Sequence, residues 1–549
     1  MKKKIRKDIE RGMRRLKLKC NKDFTVEIPK NESHGDFSTN VALISAGLNK
    51  LKPVTIANRL IKQLSSKEYY RSISKAGPGF INFHLDNSVY YEELQNIHKE
   101  KADYGSSEFG KKELVILEYV SANPTGPLNI VSARSAAYGN TLHRIMQFVG
   151  YKPFSEFYIN DAGNQVDILA ESLELRYREH HGEDIGEFPH EAYHGEYLKE
   201  LAAQLALAEG RKLFHLGEKD RLERMKNFAL AAMHKEHLRS LERYGVDFDN
   251  WMSERRLRDE GVLEEALSYL AEAHVTYEQD DAVWFASTKF GDEKDRVLIK
   301  SDGNPTYLVP DIAYHITKFH RGFAHIIDVL GPDHHGYVPR LIAALQALEL
   351  PQDRLEIIYL QHINLLENGE VVKMSKRAGK IVTLDDLLDE VGRDAARYFF
   401  IERKPSSHLN FDLDLAKSKS QENPVYYIQY AHVRINSILK KARKDKFSVK
   451  KFDKTKLHLL QTEEEISMIK KMMSLQDTLE NIAETREPHR LANYTYELAG
   501  LFHKYYSNNK IIDKKQPELT QCRLYLLWAV KCVIANCLDL MGISAPEKM

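Results

Sequence analysis

The chain has 549 residues, 43% of them hydrophobic, and a formal net charge of only +1 at pH 7. That length exceeds what one hydrophobic core organises and predicts about three domains, and four cysteines are too few for a disulfide framework. No apolar run approaches the ~18 residues of a membrane span, and the charged start is not followed by the apolar stretch of a secretory signal, so we expect a cytoplasmic protein.

The first 20 residues form a strongly basic segment. It holds ten lysines and arginines against Asp8 and Glu10, and the apolar residues Ile5, Ile9 and Met13 recur every four positions. This spacing predicts an amphipathic helix. Two interpretations stay open, namely a helix that contacts a polyanion and a helix whose charged side is only solvated.

Residues 1–108 read as a small α+β domain. A turn at SHGD enters a helix, a second helix begins near Pro53, and FINFHL alternates apolar and polar side chains as a strand does. No group of residues in this part has a catalytic spacing.

The stretch 114–165 organises the rest of the chain. LVILEY is a short apolar and β-branched run typical of a buried parallel strand, and it breaks at the turn NPTGP. Apolar residues three and four apart then predict a helix from Ser132 that ends at Gly150, and a second strand follows over 154–159. Strand, polar loop, helix and strand make a βαβ unit whose helix N-terminus can bind a phosphate or a carboxylate.

After this unit, the sequence from 166 to about 244 is helical by composition. Strands return in AVWFAS and RVLIKS, and we expect a further strand at TYLV and a helix that begins near Asp311. HIIDVL, VPRLIAALQALEL and LEIIYL then alternate strand, helix and strand. This alternation predicts a parallel, doubly wound sheet that carries a helical insertion.

The segment KMSKRAG follows a predicted hairpin at Asn368-Gly369 and precedes a helix with Thr383 as its N-cap. Its lysines could fold over a triphosphate, although an exposed basic loop explains the same pattern. Beyond about residue 412 the chain is almost wholly helical and rich in tyrosine. These tyrosines could stack RNA bases, or they could line the rim of a helical core.

Six motifs occur in order along the chain: SANPTGPLNIVSAR, YINDAGNQ, GPDHHGY, KMSKRAG, NPVYYIQYAH and the terminal ISAPEKM. Together with HGDFSTNVA and AGPGFINF near the N-terminus, they resemble the bacterial arginyl-tRNA synthetases, a family of class I aminoacyl-tRNA synthetases. The resemblance implies a tRNA-contacting α+β domain at 1–108 and a Rossmann-type α/β catalytic domain at 109–411, with a helical insertion at about 166–260. An all-α anticodon-binding domain at 412–549 would follow.

The resemblance also implies the reaction. Arginine is activated by ATP to arginyl-adenylate with release of pyrophosphate, and it is then transferred to the 3′-terminal adenosine of tRNA(Arg). ATP brings Mg²⁺, and no tightly bound protein metal is expected. The expected partners are tRNA(Arg), arginine and ATP, without a membrane, and we expect the chain to act as a monomer.

Residues that match the family's motifs take its roles by resemblance. Glu118 and Asp311 resemble the carboxylates that hold the substrate guanidinium, a planar group suited to bidentate carboxylate pairs. The Tyr307 hydroxyl is expected beside them, and Asn123 resembles the residue that fixes the substrate backbone. Without the resemblance, Glu118 reads as a strand-end ion pair. The other predicted site residues are Lys373, Ser375 and Lys376 for catalysis and, for ATP, Asn129, Ser132, Gly331, Asp333, His334, Lys373, Met374 and Lys376.

One tetrapeptide departs from the family pattern. Where class I synthetases carry His, a hydrophobic residue, Gly and His, this chain has Asn129, Ile130, Val131 and Ser132. Asn and Ser donate hydrogen bonds but carry no charge, and valine places a branched side chain where the pattern has none. We favour an active synthetase in which the helix N-terminus, Arg134 and the KMSK lysines compensate. The alternative is a non-catalytic tRNA-binding paralogue, and a small-molecule adenylyltransferase is disfavoured by the long helical tail.

Overall fold

The computed structural model of the chain describes residues 1–29, 31–372, 382–449 and 452–549. Its N-terminal part combines helices with an antiparallel sheet. The elements are α1 (Lys2–Arg15), β1 (Val26–Glu27), β2 (Phe37–Thr39), α2 (Val41–Asn49), α3 (Pro53–Leu64), β3 (Tyr70–Ala76), β4 (Phe80–Leu85) and α4 (Asn87–Glu100). The strands pair in the order β1-β2-β4-β3.

The amphipathic helix predicted at the N-terminus is confirmed as α1. Ile5, Ile9 and Met13 are fully buried, and most of the basic side chains of this helix are exposed. The prediction that a turn leads directly from SHGD into a helix is wrong, because β2 pairs with β4 before α2 begins. A strand of three residues is too short to show the alternation that identifies strands in a sequence.

The middle of the chain supplies a parallel sheet, helices on its faces and two smaller sheets. Its first elements are β5 (Leu114–Glu118), α5 (Ile130–Phe148), β6 (Lys152–Ile159), α6 (Asn164–His180), α7 (Glu196–Glu209), α8 (Glu218–Tyr244), β7 (Asn250–Ser253), α9 (Glu254–Asp259) and α10 (Val262–Glu272). They are followed by β8 (Thr276–Gln279), β9 (Ala282–Phe285), β10 (Arg296–Ile299), α11 (Leu308–His320), β11 (His325–Leu330), α12 (Val338–Ala347), β12 (Leu355–Tyr359), β13 (Ile363–Glu367) and β14 (Glu370–Val371).

The predicted parallel sheet is confirmed. Five strands pair in the order β12-β11-β5-β6-β7, and every neighbouring pair in this sheet is parallel. The order reverses direction at β5, so the loops after β5 and β11 lie on either side of a topological switch point. In open α/β sheets, ligands bind at such a point, outside the carboxyl ends of the strands.

The strand predicted at TYLV is wrong, because these residues open α11. Pro310 lies in the first turn of that helix, where the missing N–H would have no partner inside the helix in any case. A short apolar run cannot be assigned to strand or helix by periodicity alone. AVWFAS and RVLIKS do form β9 and β10, but these strands belong to a separate antiparallel sheet with β8.

The C-terminal part is helical, as predicted. Its elements, with the ones that lead into it, are α13 (Leu384–Ile401), β15 (Leu409–Asp412), α14 (Leu413–Lys417), α15 (Pro424–Lys444), α16 (Glu463–Met473), α17 (Leu475–Thr485), α18 (His489–Asn508) and α19 (Pro517–Leu540). One continuous hydrophobic cluster joins these helices to α5 and to the N-terminal part. Among the described residues, no helix is both long and apolar enough to cross a lipid bilayer.

Candidate active site

The N-terminus of α5 is built by Asn129. This residue is the N-cap, and its side-chain Oδ1 accepts hydrogen bonds from the backbone N–H of Val131 at 2.9 Å and of Ser132 at 3.1 Å. The Ser132 hydroxyl also points to the same oxygen, at 3.4 Å. The side-chain amide oxygen of Asn129 is therefore occupied by hydrogen bonds that cap its own helix. Its amide nitrogen is the group that can donate to a phosphate.

Val131 is the residue of the altered tetrapeptide that faces outward. It is 49% exposed, whereas its neighbours Ile130 and Ser132 are buried. Its branched side chain thus lies on the open side of the first turn of α5. A nucleotide base that approaches this turn would meet two methyl groups where glycine would leave room.

The start of α13 lies beside this helix N-terminus. The backbone N–H of Leu384 donates to the carbonyl of Leu128 at 2.7 Å, and Asn129 forms an isolated bridge with Thr383. Thr383 caps α13 with a capping box, as predicted. The residues predicted for catalysis and ATP binding in the KMSK segment, Lys373, Met374, Ser375 and Lys376, lie outside the described residues.

Arg134 does not serve the phosphate site, which corrects the expectation that it compensates for the tetrapeptide. Its guanidinium donates to the backbone carbonyls of Gln361 at 2.5 Å and of Lys404 and Ser407, each at 3.2 Å. The side chain is almost completely buried, and burial lowers its pKa to about 10. Its two terminal guanidinium nitrogens are directed to these carbonyls, so Arg134 ties α5 to the loops that hold Gln361, Lys404 and Ser407.

Glu118 ends β5 and is almost buried, at 7% exposure. One carboxylate oxygen accepts from the Lys318 ammonium at 2.6 Å, and the other accepts from the Ser121 hydroxyl at 2.8 Å. The strand-end ion pair that the sequence suggested is therefore present. Each carboxylate oxygen has a second lone pair, so Glu118 can still accept from a ligand.

Asp311 is the second predicted carboxylate, in the first turn of α11. Burial raises its pKa to about 6. The neighbouring Tyr337 hydroxyl and His315 oppose this rise, and the nearby carboxylates of Glu118 and Glu254 add to it. A cation that lies between Asp311 and Glu118 would relieve their repulsion, so this carboxyl is suited to receive one.

Tyr307 and Tyr337 differ in their placement. The predicted residue Tyr307 directly precedes α11 and is 59% exposed, while its backbone carbonyl accepts from the Tyr337 hydroxyl at 3.1 Å. The sequence analysis missed Tyr337, which is the last residue of the GPDHHGY motif. Its proximity to Asp311 makes it the better placed hydroxyl for a ligand that binds there.

The other predicted residues follow the carboxyl ends of β5 and β11. The exposed Asn123 accepts a hydrogen bond from the side chain of Asn160 at 3.2 Å, so two of the motifs meet there. Gly331, Asp333 and His334 form the turn directly after β11, and the last two are exposed. These groups surround the same edge of the sheet as Glu118.

Sequence analysis also missed a set of buried polar groups beneath Glu118. These groups lie on α11 and β11, and the surrounding apolar core covers them. Their spacing of three and four along α11 was the available signal, since it puts them on one helix face. The set consists of Tyr314, His315 and Lys318 on α11 and Asp328 on β11, and the partly exposed Arg321 directly follows α11.

If Asp311 holds the substrate guanidinium, as the resemblance implies, its pKa predicts how arginine binding depends on pH. A guanidinium pairs with the ionised carboxylate, so affinity should be full above pH 6 and should fall as pH drops through 6, by up to about tenfold per unit. The groups that face Asp311 are Glu118, Glu254, His315 and Tyr337. The Michaelis constant (KM) for arginine, measured between pH 5 and 8, should show this step while the KM for ATP does not. A flat arginine KM over that range would contradict the assignment.

Comparisons with known proteins agree with this geometry. Residues 93–471 match the family model described as "tRNA synthetases class I (R), catalytic domain". Residues 2–85 match "Arginyl tRNA synthetase N terminal domain", and residues 428–549 match "DALR anticodon binding domain". In the described residues, no cluster of three or more His, Cys, Asp or Glu side chains is arranged to hold a metal ion.

Whole-chain relatives carry the same family name. An arginine–tRNA ligase of Shouchella clausii is 44% identical over 552 residues, which span 100% of this chain and 99% of the relative. A crystal structure of a putative arginyl-tRNA synthetase from Campylobacter jejuni superposes with a TM-score of 0.78 at 36% identity, over 85% of this chain and 100% of that one. Arginyl-tRNA synthetase of Thermus thermophilus, at 21% identity and a TM-score of 0.74 over 100% of both chains, shows the fold.

Proposed function

The chain belongs to the class I arginyl-tRNA synthetase family, and from that premise we propose that it joins L-arginine to tRNA(Arg) at the expense of ATP. The observation that carries the proposal is the proximity of Asp311 to Glu118, at the carboxyl end of the strand that precedes α5. A cation site beside an anion site is what the simultaneous binding of arginine and ATP requires.

At the arginine end, we assign the guanidinium to Glu118 and Asp311. Two carboxylates can each form paired hydrogen bonds with a planar guanidinium, and partial burial strengthens those bonds. We assign the Tyr307 hydroxyl to a place beside these carboxylates, as the resemblance implies, and we add the Tyr337 hydroxyl to the same site. Asn123 would hold the amino or carboxylate group of the substrate. Its exposed side chain lies beside Asn160 at the carboxyl edge of the parallel sheet, the same edge as Glu118.

At the ATP end, we assign the phosphates to the N-terminus of α5 and to the side chains of Asn129 and Ser132. The positive end of the helix dipole attracts anions without any charged side chain. Gly331, Asp333 and His334 would border the adenosine. Lys373, Met374, Ser375 and Lys376 are assigned from the sequence alone, the lysines as cations that stabilise the phosphates in the transition state.

Two successive transfers follow from these assignments. An oxygen of the arginine carboxylate attacks the α-phosphorus of ATP, pyrophosphate leaves, and arginyl-adenylate forms. A hydroxyl of the terminal ribose of tRNA then attacks the carbonyl carbon, and AMP leaves. The attacking carboxylate is already ionised at neutral pH, so the first step needs positioning and charge stabilisation and no general base. Mg²⁺ would arrive with ATP as part of that substrate.

Tyrosines of the C-terminal domain support a tRNA partner. Tyr426 stacks on Tyr430, with 5.9 Å between ring centroids, and Arg434 lies over the rings of Tyr430 at 4.4 Å and of Tyr506 at 4.7 Å. Partly exposed aromatic rings with an arginine between them suit the stacking of unpaired RNA bases. Tyr494 and Tyr505, in contrast, are core residues.

The remaining assignments are proposals of the same kind. The domain boundaries are 1–108, 109–411 and 412–549, with the insertion at about 166–260. Because the product is used by ribosomes, we place the activity in the cytoplasm. We propose a monomer, since one chain carries the arginine, ATP and tRNA sites together.

Exchange of pyrophosphate into ATP, measured with arginine and tRNA(Arg) present, tests the proposed function and the altered tetrapeptide together. The wild-type chain should exchange, and Val131→Gly should lower its KM for ATP by several-fold, because two methyl groups leave the open side of α5. Val131→Thr keeps the branched shape and is the matched control, with an expected KM near that of the wild type.

Two outcomes would count against these expectations. A wild-type chain that binds tRNA but neither exchanges nor charges would support the non-catalytic paralogue. An unchanged KM for ATP in Val131→Gly would mean that this side chain does not border the nucleotide.

A further inference from the structure

Three buried carboxylates stand in a row across the parallel sheet. Asp328 on β11 is the register partner of Glu118 on β5, and Glu118 is the register partner of Glu156 on β6. Register partners on neighbouring strands project from the same face of a sheet, with their Cβ atoms about 5 Å apart. All three side chains are buried, so their charges would repel one another strongly unless cations lay between them.

Lys318 of α11 and Arg321, which directly follows this helix, supply those cations. Lys318 donates to Glu118 Oε2 at 2.6 Å and to Asp328 Oδ1 at 2.7 Å, and Arg321 donates to Glu156 at 2.7 Å. The Lys318 side chain has no exposed surface. Burial alone would lower the pKa of Lys318, but Asp328 and Glu118 raise it above its usual value. Lys318 is therefore a fixed positive charge between these two acids.

The other oxygen of Glu118 is held by an unusual turn. Val120 and Ser121, directly after β5, have φ angles of +71° and +38°, and this conformation is costly for a β-branched valine. The Ser121 hydroxyl accepts from the backbone N–H of Tyr158 at 3.1 Å, so its own hydrogen is directed to Glu118 Oε1. The strained turn thus fixes the second donor to the Glu118 carboxylate.

We propose that Lys318 and Ser121 are positioning residues for the substrate arginine, which act by holding Glu118 in one orientation. The proposal rests on the assignment of the arginine site above and deepens it. Lys318 balances one of the two charges of Glu118 and Asp328, while Ser121 fixes the plane of the Glu118 carboxylate. Glu118 then contributes mainly the geometry of the guanidinium contact, and Asp311, which lies outside this ion-pair row, contributes most of the attraction.

The double variant Lys318→Met/Asp328→Asn tests the role of the lysine, because it removes one positive and one negative charge together. We expect its KM for arginine to rise by about thirtyfold, and its KM for ATP to stay within about threefold. Ser121→Ala tests the second donor without a change of charge, and its KM for arginine should rise by about five- to tenfold. Arg321→Met/Glu156→Gln is the matched control, since it removes the neighbouring pair of the same row and should leave both constants unchanged.

Charging of tRNA(Arg) by the wild-type chain is measured in parallel, so that the two levels of the proposal can be separated. If the wild type does not charge, the proposed function itself fails. If the wild type charges but the Lys318 double variant and Ser121→Ala keep a normal arginine KM, or lose arginine and ATP affinity equally, the positioning role is wrong. Thermal melting of each variant shows whether the measured constants belong to folded protein.

Discussion

Replacement of Asp311 by asparagine should lower kcat/KM for arginine by about a thousandfold, with a change in the KM for ATP of no more than about threefold. The magnitude follows because removal of one partner from a largely buried ion pair costs about 4 kcal/mol. Asp311 lies on α11 with its pKa raised to about 6 by burial, beside Glu118 and Glu254. Binding of the guanidinium stabilises the ionised form of the Asp311 carboxyl group. Asparagine keeps the shape of the side chain but has no charge to pair with the guanidinium.

Citrulline as a test substrate and a second variant as a control show whether the effect depends on the charge of the guanidinium and on the position of the aspartate. Citrulline replaces the guanidinium by a neutral urea group, so the wild type should reject it far more strongly than Asp311→Asn does. Asp292→Asn is the matched control, because Asp292 is a buried aspartate paired with Arg296, away from the parallel sheet. An equal loss of arginine and ATP use in Asp311→Asn would contradict the assignment.

Arg397→Met should destabilise the chain by about 3–5 kcal/mol, because it leaves several buried acceptors without donors. The fully buried Arg397 on α13 donates to the carbonyl of Met541 at 2.7 Å, to the carbonyl of Tyr244 at 3.3 Å and to the side chain of Asn140 at 2.7 Å. These partners lie at the ends of α19 and α8 and on α5. Burial lowers the pKa of Arg397 to about 10, so its charge is already costly and depends on those contacts.

Unfolding in urea, followed by circular dichroism, measures this effect. Gly542→Ala disturbs the same contacts of Arg397 by a second substitution. A Cβ at Gly542, whose φ is +67°, would lie 2.4 Å from the Arg397 guanidinium carbon. It should therefore destabilise the chain as well. Arg393→Met is the control, because Arg393 is an exposed residue of the same helix, and it should change stability by less than about 0.5 kcal/mol. If Arg397→Met is as stable as the wild type, the hydrogen bonds of Arg397 do not have the stabilising role assigned to them.

The central β5–α5–β6 unit could be predicted from sequence because each of its signals is local. An apolar run, a turn rich in proline and glycine, and apolar side chains at helical spacing are all determined within about 50 residues. Gly150, which follows the C-cap Val149 of α5 and has a φ of +91°, agrees with the conformation expected of that position. The hairpin turn at Asn368 and Gly369, with φ of +52° and +77°, does so too.

The charge pattern of the site could not be predicted, because it depends on residues far apart in the chain. Lys318 is 200 positions from Glu118, and Arg134 finds its acceptors more than 220 positions away. Whether a cation faces a ligand or a buried carbonyl depends on how the strands pair, and side-chain type alone does not carry that information. For the same reason, the sequence could single out Glu118 as a candidate but could not show that two donors already hold it.

Charging of tRNA(Arg) with radiolabelled arginine by the purified chain, in the presence of ATP and Mg²⁺, is the most direct test of the proposed function. We expect arginyl-tRNA to accumulate with the wild type, and to accumulate much more slowly with Asp311→Asn at the same concentration of arginine. A wild-type chain that binds tRNA(Arg) and forms no arginyl-tRNA would contradict the proposed function, despite its retained carboxylates.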